Sequence, residues 1–375
     1  METTALIFIP DISGYTKFVT ETEAKHSKHI ISELIEVILN ANQLGMEVSE
    51  IEGDAVLFFR KGDPPKLTEL IEQAKRMFLD FHVHIRIIQR DNVCQCGACR
   101  TAVNLTLKFI THFGFLEEVA IRDFNKIMGS DVILAHRLLK NNVPENEYLL
   151  MTDDYFNTQE LEKQYLESWV DFKLHMENFS NFKNISIKYI PLTAVRNELP
   201  DVTKFKKEGY DYSEPDITIF INAPVLLVHE LLTDFDAKLE YIPGLKKIKN
   251  HQPINRINAS HTCVFDDLEI HFVTRFNGTK EREISYIEEV EVSKGFAFVS
   301  DYKLKEEAEG TVLSVKIFPG KEKRKSSLIK KIILRILRGL ILYKVKKTAA
   351  ENLNNFKEFC ERKAIEREKE KFNRD

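Results

Sequence analysis

The chain has 375 residues, with 54 Lys and Arg against 58 Asp and Glu and a formal net charge of -4. That length suggests two domains, and 43% hydrophobic residues supply enough apolar surface for real cores. The near balance of charge exerts no global pull toward nucleic acid or membrane, and charges interrupt every apolar run before the ~20 residues a spanning helix needs. No basic, apolar leader precedes Asp11, and the five cysteines are an odd number with three clustered, which predicts a reducing cytoplasm and no disulfide framework.

Residues 5–16, Ala-Leu-Ile-Phe-Ile-Pro-Asp-Ile-Ser-Gly-Tyr-Thr, read as a buried strand that stops on Asp11 and turns through Ser13-Gly14. Such an ending sets one carboxylate beside free backbone N–H groups, which suits a divalent metal and the phosphates it bridges. A second carboxylate is needed, and Asp54 is the candidate. Met46 to Ile51 and Ala55 to Phe59 are strand-like, and Glu52-Gly53-Asp54 between them reads as a tight hairpin tip. Each aspartate alone is equally a turn former, so the argument lies in the pair.

A helical stretch, Leu67 to Gln89, leads into Cys94-Gln95-Cys96-Gly97-Ala98-Cys99, before a strand that begins near Leu105. Three thiols on one tight loop offer Zn²⁺ three of its four ligands, the fourth having to come from His82, His84, His112 or a partner chain. Reduced thiols with redox sensitivity account for the pattern equally well. Farther on, the stretch from Asn197 to Pro215 is polar and holds two prolines and one glycine. We take 197–214 as a linker between domains at 1–196 and 215–375.

Beyond the linker the pattern predicts a strand from Asp216 to Ile221 and a helix opened by Asn222-Ala223-Pro224 and running through Leu232. Strands follow at Ser260 to Phe265, Glu269 to Phe276, Ile284 to Val292, Phe296 to Leu304 and Thr311 to Phe318, then one long helix from about Ser326. From Lys321 to Lys347, eleven Lys and Arg stand against one Glu, interleaved at helical spacing with Leu328, Ile329, Ile332, Ile333, Ile336, Leu337, Leu340 and Ile341. We read the apolar stripe as gripping a sheet and the basic face as meeting water. The alternative is that this face, with Lys323 to Lys325, docks on anionic lipid headgroups. Surface aromatics are not interleaved with the charges, so nucleic acid is not expected as a partner.

The strand ending in Asp-Ile-x-Gly-aromatic-Thr, the Gly53-Asp54 hairpin, Leu107 to Gly114 with its His112-x-Gly114 ending, and the helix led by Gly129 and Ser130 through Leu138 occur in that order. Together, over roughly residues 3–195, they resemble the class III adenylate/guanylate cyclase catalytic domain, which implies a ferredoxin-like α+β fold. The resemblance implies that Asp11, Ile12 and Asp54 hold Mg²⁺ or Mn²⁺ on a nucleoside triphosphate, whose ribose 3′-hydroxyl attacks the α-phosphate and releases pyrophosphate. Ser13, Gly14, Tyr15 and Thr16 would surround the phosphates, and Arg137 would stabilise charge at the α-phosphate.

Ile133 stands where that family has a ribose-orienting Asn, and losing one such donor costs on the order of 10²- to 10³-fold in rate. A later phosphate-binding lysine is matched only loosely by Lys183. Nucleotide binding with slow or absent turnover is therefore the expectation. Glu50 occupies the base-reading position four residues before Asp54. A carboxylate there can accept from guanine N1–H and N2–H₂ and would repel adenine N1, and Lys126 can donate to guanine O6, so GTP is favoured. Sites in that family are composite, which implies a homodimer with Asp11 and Asp54 of one chain opposite Glu50, Lys126 and Arg137 of the other.

Residues 214 to about 362, from Ile217-Thr218-Ile219-Phe220-Ile221-Asn222-Ala223-Pro224-Val225 through Tyr241-Ile242-Pro243-Gly244-Leu245-Lys246-Lys247-Ile248, resemble START-type, polyketide-cyclase-like domains. That resemblance implies a helix-grip fold, a curved antiparallel sheet around the long C-terminal helix, with a cavity for a lipid or other hydrophobic small molecule. The combined expectation is a guanylate-type nucleotide-binding domain coupled to a hydrophobic-ligand domain in signalling. The alternative is a lipid carrier whose cyclase-like part serves only dimerisation.

Overall fold

The computed structural model describes residues 3–121, 124–160, 166–202, 214–249, 251–280, 282–292, 296–320 and 328–372. It is an α+β protein of two compact units, one of residues 1–89 and 100–203, the other of residues 90–99 and 204–375. Tyr210, Asp211 and Tyr212 of the linker lie outside the described residues.

In the first unit, β1 (Thr3–Ser13), β2 (Glu47–Glu52), β3 (Ala55–Lys61), β4 (Thr106–Ile121), β6 (Tyr148–Thr152), β7 (Lys173–Phe179) and β8 (Phe182–Pro191) form one sheet, and β5 (Phe124–Met128) pairs with the far end of β4. The order is β2-β3-β1-β4-β6-β8-β7, antiparallel except for β4 with β6. Strand β1 is central, so both faces of Ala5 to Ile9 are buried and its run is apolar without alternation. Ala5, Ile7 and Ile9 pack with Val132, Leu134, Ala135 and Leu138 of α5 (Ser130–Leu138). Helices α2 (Ala24–Asn40) and α3 (Leu67–Asp91) bury apolar stripes at helical spacing, Ile30-Ile31-Leu34-Ile38 and Leu70-Ile71-Ala74-Met77-Phe78-Phe81-Ile85-Ile88. Each such side chain contributes roughly 1.5–3 kcal/mol relative to exposure.

One expectation is corrected by the course of β4. The strand expected to end at His112-x-Gly114 runs on to Ile121 and folds back as β5. Gly114 is instead a point of close approach: a Cβ there would overlap the Asp131 side chain, whose carboxylate accepts from Phe115 N–H at 2.6 Å. His112 lies beneath, with Nε2 3.4 Å from Asp131 Oδ1, and this imidazole holds the Asp131 carboxyl below the usual range.

The second unit is mostly strands. Its antiparallel sheet runs β10-β11-β12-β13-β14-β15-β9, with β9 (Ile217–Ile221), β10 (Lys247–Lys249), β11 (Ser260–Val264), β12 (Glu269–Lys280), β13 (Glu283–Val292), β14 (Phe296–Glu307) and β15 (Gly310–Pro319). Helices α7 (Val225–Thr233), α8 (Phe235–Tyr241) and α9 (Leu328–Phe372) complete it, α8 and β10 being elements the sequence did not announce. Leu353, Phe356, Phe359 and Cys360 of α9 share one core with Val228, Leu232, Tyr286, Leu304 and Leu313. Within the unit, Lys238 Nζ lies 2.9 Å from Glu288 Oε1 and 3.1 Å from His261 Nε2, and Tyr286 donates to Glu288 at 2.8 Å. Burial drives His261 well below its ordinary pKa, so it meets the ammonium as a neutral acceptor.

Of the basic run, Lys323 to Lys325 lie outside the described residues. Lys346 is tied to Asp216 at 2.8 Å, a contact within the fold. Among the described residues no helix is long and apolar enough to cross a membrane.

Candidate metal and nucleotide site

Asp11 is the last inward-facing residue of β1 on the α5 side, two positions beyond Ile9. Pro10 brings no N–H to the ladder, and the β1–β3 pairing is interrupted at Ile9 and Pro10 before resuming at Asp11 opposite Ala55. Asp54 sits in the two-residue turn that joins β2 to β3. Gly53 precedes it at φ 63°, the left-handed conformation that glycine adopts freely at the first position of such a hairpin. The Asp54 carbonyl accepts from Ile12 N–H at 3.1 Å, which pins the hairpin tip to the end of β1.

The two carboxylates therefore meet. Burial, then the negative charge of Asp11, pushes Asp54 up to about 6. Lys108, on β4 and directly opposite Asp11 in register, places Nζ 3.0 Å from Asp11 Oδ2 while also donating to the Leu139 carbonyl at 3.1 Å. With both aspartates ionised, two carboxylates and one ammonium leave a net negative charge, and below about pH 6 a proton on half-buried Asp54 takes the place a cation would fill. The donor set fits a divalent metal, with Lys108 as its competitor. Sequence reasoning missed Lys108, because the β1–β4 register that sets it against Asp11 cannot be read from one strand.

The remaining residues divide into two groups. Gly14, at φ 91°, starts α1 (Tyr15–Glu21), and the Tyr15 ring lies against the hairpin tip, 3.6 Å from where a Cβ on Gly53 would stand. Ser13 Oγ donates to Asn146 O at 3.4 Å, Thr16 is exposed and Ile12 is buried. Elsewhere, Glu50 and Lys126 are brought together at 3.1 Å, with His136 Nε2 3.5 Å from Glu50. A bulge between Val48 and Glu50 resets the alternation of β2 at this point. Arg137 and Ile133, one turn apart on α5, are both exposed. Lys183 is exposed on β8, which β4 and β6 separate from β1.

Cys94, Cys96 and Cys99 are buried and form no disulfide, and their sulfurs lie within 4.8 Å of one another. Hydrogen bonds from Cys96 and Cys99 draw Cys94 down to about 4, while Cys99, hydrogen-bonded to Cys94 and Cys96, is pushed up. The histidines expected as a fourth ligand have partners inside the first unit: His82 with Glu147 at 3.2 Å, His84 with Glu33 at 3.6 Å and His112 with Thr152 at 2.8 Å.

Residues 31–148 match a family described as "Protein of unknown function (DUF2652)". Over 123 residues the chain is 35% identical to "Uncharacterized protein Rv2561/Rv2562" of Mycobacterium tuberculosis; the match covers 33% of this chain and 57% of that protein. Among solved structures, the adenylyl cyclase CyaB of P. aeruginosa is similar over 51% of this chain and 94% of its own, at 15% identity and a TM-score of 0.35. The catalytic core of a rhodopsin-guanylyl cyclase in complex with ATPαS is similar over 51% of this chain and 97% of its own, at 16% identity and a TM-score of 0.35. The guanylyl cyclase Cya2 is similar over 50% and 91%, at 12% identity and a TM-score of 0.35.

Proposed function

We propose that the first unit binds a purine nucleoside triphosphate, GTP over ATP, through Mg²⁺ or Mn²⁺ held by Asp11 and Asp54, with little or no cyclisation. The observation that carries this reading is the meeting of the two aspartates, with Asp54 pushed up to about 6 by burial and by Asp11. Bound there, the cation would neutralise phosphate charge and polarise the α-phosphate. The chain's own part is to hold the carboxylates rigidly, Asp11 within a central strand and Asp54 by its backbone hydrogen bond to Ile12.

Glu50 and Lys126, already paired, are complementary in acceptor and donor to the guanine edge, which supports the base preference. Ile133 offers no hydrogen bond where a ribose-orienting group would be needed, which supports binding without efficient turnover. A composite site in a homodimer is part of the same reading. Its support is the set of exposed apolar side chains Val48, Ile51, Phe115, Met128 and Ile133, carried by β2, the β4–β5 hairpin and α5, which also carry Glu50, Lys126 and Arg137.

Calorimetric titration of the full chain with GTP and ATP in Mn²⁺ tests this. GTP should bind more tightly, and Asp54→Ala should abolish metal-dependent binding. Mixing Asp54→Ala with Arg137→Ala chains should restore one site per mixed dimer, and a chain that stays monomeric at micromolar concentration overturns the shared site. For the second unit we propose a helix-grip fold, supported by β9, the α7–α8 pair, the antiparallel sheet and a closing α9 in one core. The hydrophobic ligand that such a fold implies is tested by mass spectrometry of what co-purifies.

A further inference from the structure

The Cys94–Cys99 loop is held within the second unit by its own contacts. Asn92 bridges to Arg256, Ile257 N–H donates to the Asp91 carbonyl at 2.9 Å, and Asn277 Nδ2 donates to the Asn92 carbonyl at 3.4 Å. Val93, fully buried, belongs to that unit's core. The next residues put three sulfurs into one buried space: Cys94 and Cys96 are 8% exposed and Cys99 is 3% exposed. Their mutual distances stay within 4.8 Å, and Zn–S bonds of 2.3 Å in a tetrahedron would separate the sulfurs by about 3.8 Å.

The backbone is shaped for the sulfurs as well. Cys99 N–H donates to Cys96 Sγ at 3.5 Å, and Asn92 Nδ2 donates to the Cys99 carbonyl at 3.3 Å, closing the turn that carries the third thiol. An N–H directed at sulfur stabilises a thiolate, the form in which cysteine binds metal. None of the three cysteines is in a disulfide. Burial also removes them from the partly exposed setting that a reactive redox thiol needs.

We propose that Cys94, Cys96 and Cys99 bind one Zn²⁺ as three thiolates, a structural ion that locks the connection between α3 and β4. A donor from outside the three thiolates, protein or water, completes the tetrahedron. Soft thiolates at tetrahedral spacing select zinc over the hard cation proposed for Asp11 and Asp54, so the two sites are chemically distinct. Binding displaces any protons still on the sulfurs and adds to folding stability.

The test uses the full chain, produced in zinc-supplemented medium and kept reduced. Elemental analysis should find one zinc per chain, retained through desalting. Cobalt substitution should give the near-ultraviolet sulfur-to-cobalt charge-transfer band and the intense visible bands of a tetrahedral thiolate site. Cys94→Ser, Cys96→Ser and Cys99→Ser should each lose those bands, with Cys263→Ser and Cys360→Ser unchanged. Stripping zinc from the wild-type chain with a strong chelator should lower the melting temperature reversibly, a readout that does not depend on whether a variant folds. His82→Ala, His84→Ala and His112→Ala should leave the cobalt spectrum as it is, since each of these histidines has a partner inside the first unit. A wild-type chain that binds neither zinc nor cobalt in a defined ratio, or a cobalt spectrum that survives loss of Cys94 and Cys99 together, overturns the proposal. GTP affinity measured in the same preparations separates failure of this site from failure of the Asp11–Asp54 site.

Discussion

Lys108 Nζ and Asp11 Oδ2 lie 3.0 Å apart, directly across the β1–β4 register, so the aspartate proposed to hold a cation already has a counter-ion. An ammonium here competes with a metal, and the two cannot both take the same lone pairs. In Lys108→Met, Mn²⁺ affinity should rise about tenfold, equivalent to ~1.4 kcal/mol. Without metal the variant should be destabilised by about 3 kcal/mol, because the nearly buried Asp11 loses its partner, and Mn²⁺ should restore its melting temperature. Unchanged or weaker Mn²⁺ binding would show that the lysine serves the fold alone.

The raised Asp54 sets a pH dependence with a definite sign. Its folded pKa, about 6, is above the ordinary 3.8, so between those values the folded chain holds a proton that the unfolded chain has lost. Stability from this group is present below pH 3.8 and declines as pH rises through about 6. A cation relieves that loss. The Mn²⁺-induced rise in melting temperature should therefore grow from pH 5 to pH 7.5, and calorimetry near pH 6 in buffers of different ionisation enthalpy should detect proton release on metal binding. A thermal shift that is flat across that range would remove Asp54 from the site.

Base preference rests on Glu50. In Glu50→Ala the ratio of GTP to ATP affinity should fall about tenfold, chiefly through weaker GTP binding, since a hydrogen bond to a charged group contributes roughly 1.5–3 kcal/mol. Lys126→Ala should have a smaller effect in the same direction. Parallel losses for both nucleotides would point to a structural role for the Glu50–Lys126 pair.

Lys238 and Glu288 are 4% and 3% exposed, so each buried charge depends chiefly on its partner, with His261 and Tyr286 adding one hydrogen bond apiece. Lys238→Met should cost about 3–5 kcal/mol by stranding Glu288, read as a shift in the chemical-denaturation midpoint. The double change Lys238→Met with Glu288→Leu should recover much of that loss, since a well-packed apolar pair is often neutral or better. Additive losses would contradict the assignment of a mutually dependent pair.

The legible parts of this chain were those encoded locally. The apolar run to Asp11, the Gly53-Asp54 turn, the helix after Gly129 and the five long strands from Ser260 onward each follow from periodicity or turn chemistry within a few residues. Asp11 and Asp54 can be picked out as a pair because a hairpin tip and a strand end are both visible in one dimension. Lys108, His136 and the His112–Asp131 contact were not, because each depends on which strands become neighbours. The Lys238–Glu288 pair was hidden for the same reason, its partners being fifty positions apart. The continuation of β4 past Gly114 was missed because Glu117 and Glu118 break its apolar character while its pairing is made by β5.

Residues 90–99 count with the second unit although the chain on both sides of them counts with the first. The polypeptide therefore passes between the units three times, and a cut in the polar stretch near residue 203 does not deliver two whole parts. A fragment beginning there would lack Val93 from its core and the Asn92 bridge to Arg256, leaving an apolar hole. Deletion phenotypes mapped by truncation would then report the missing loop as if it were a function of the removed half. A faithful dissection would graft 90–99 back onto the C-terminal piece, or work by point substitution in the intact chain.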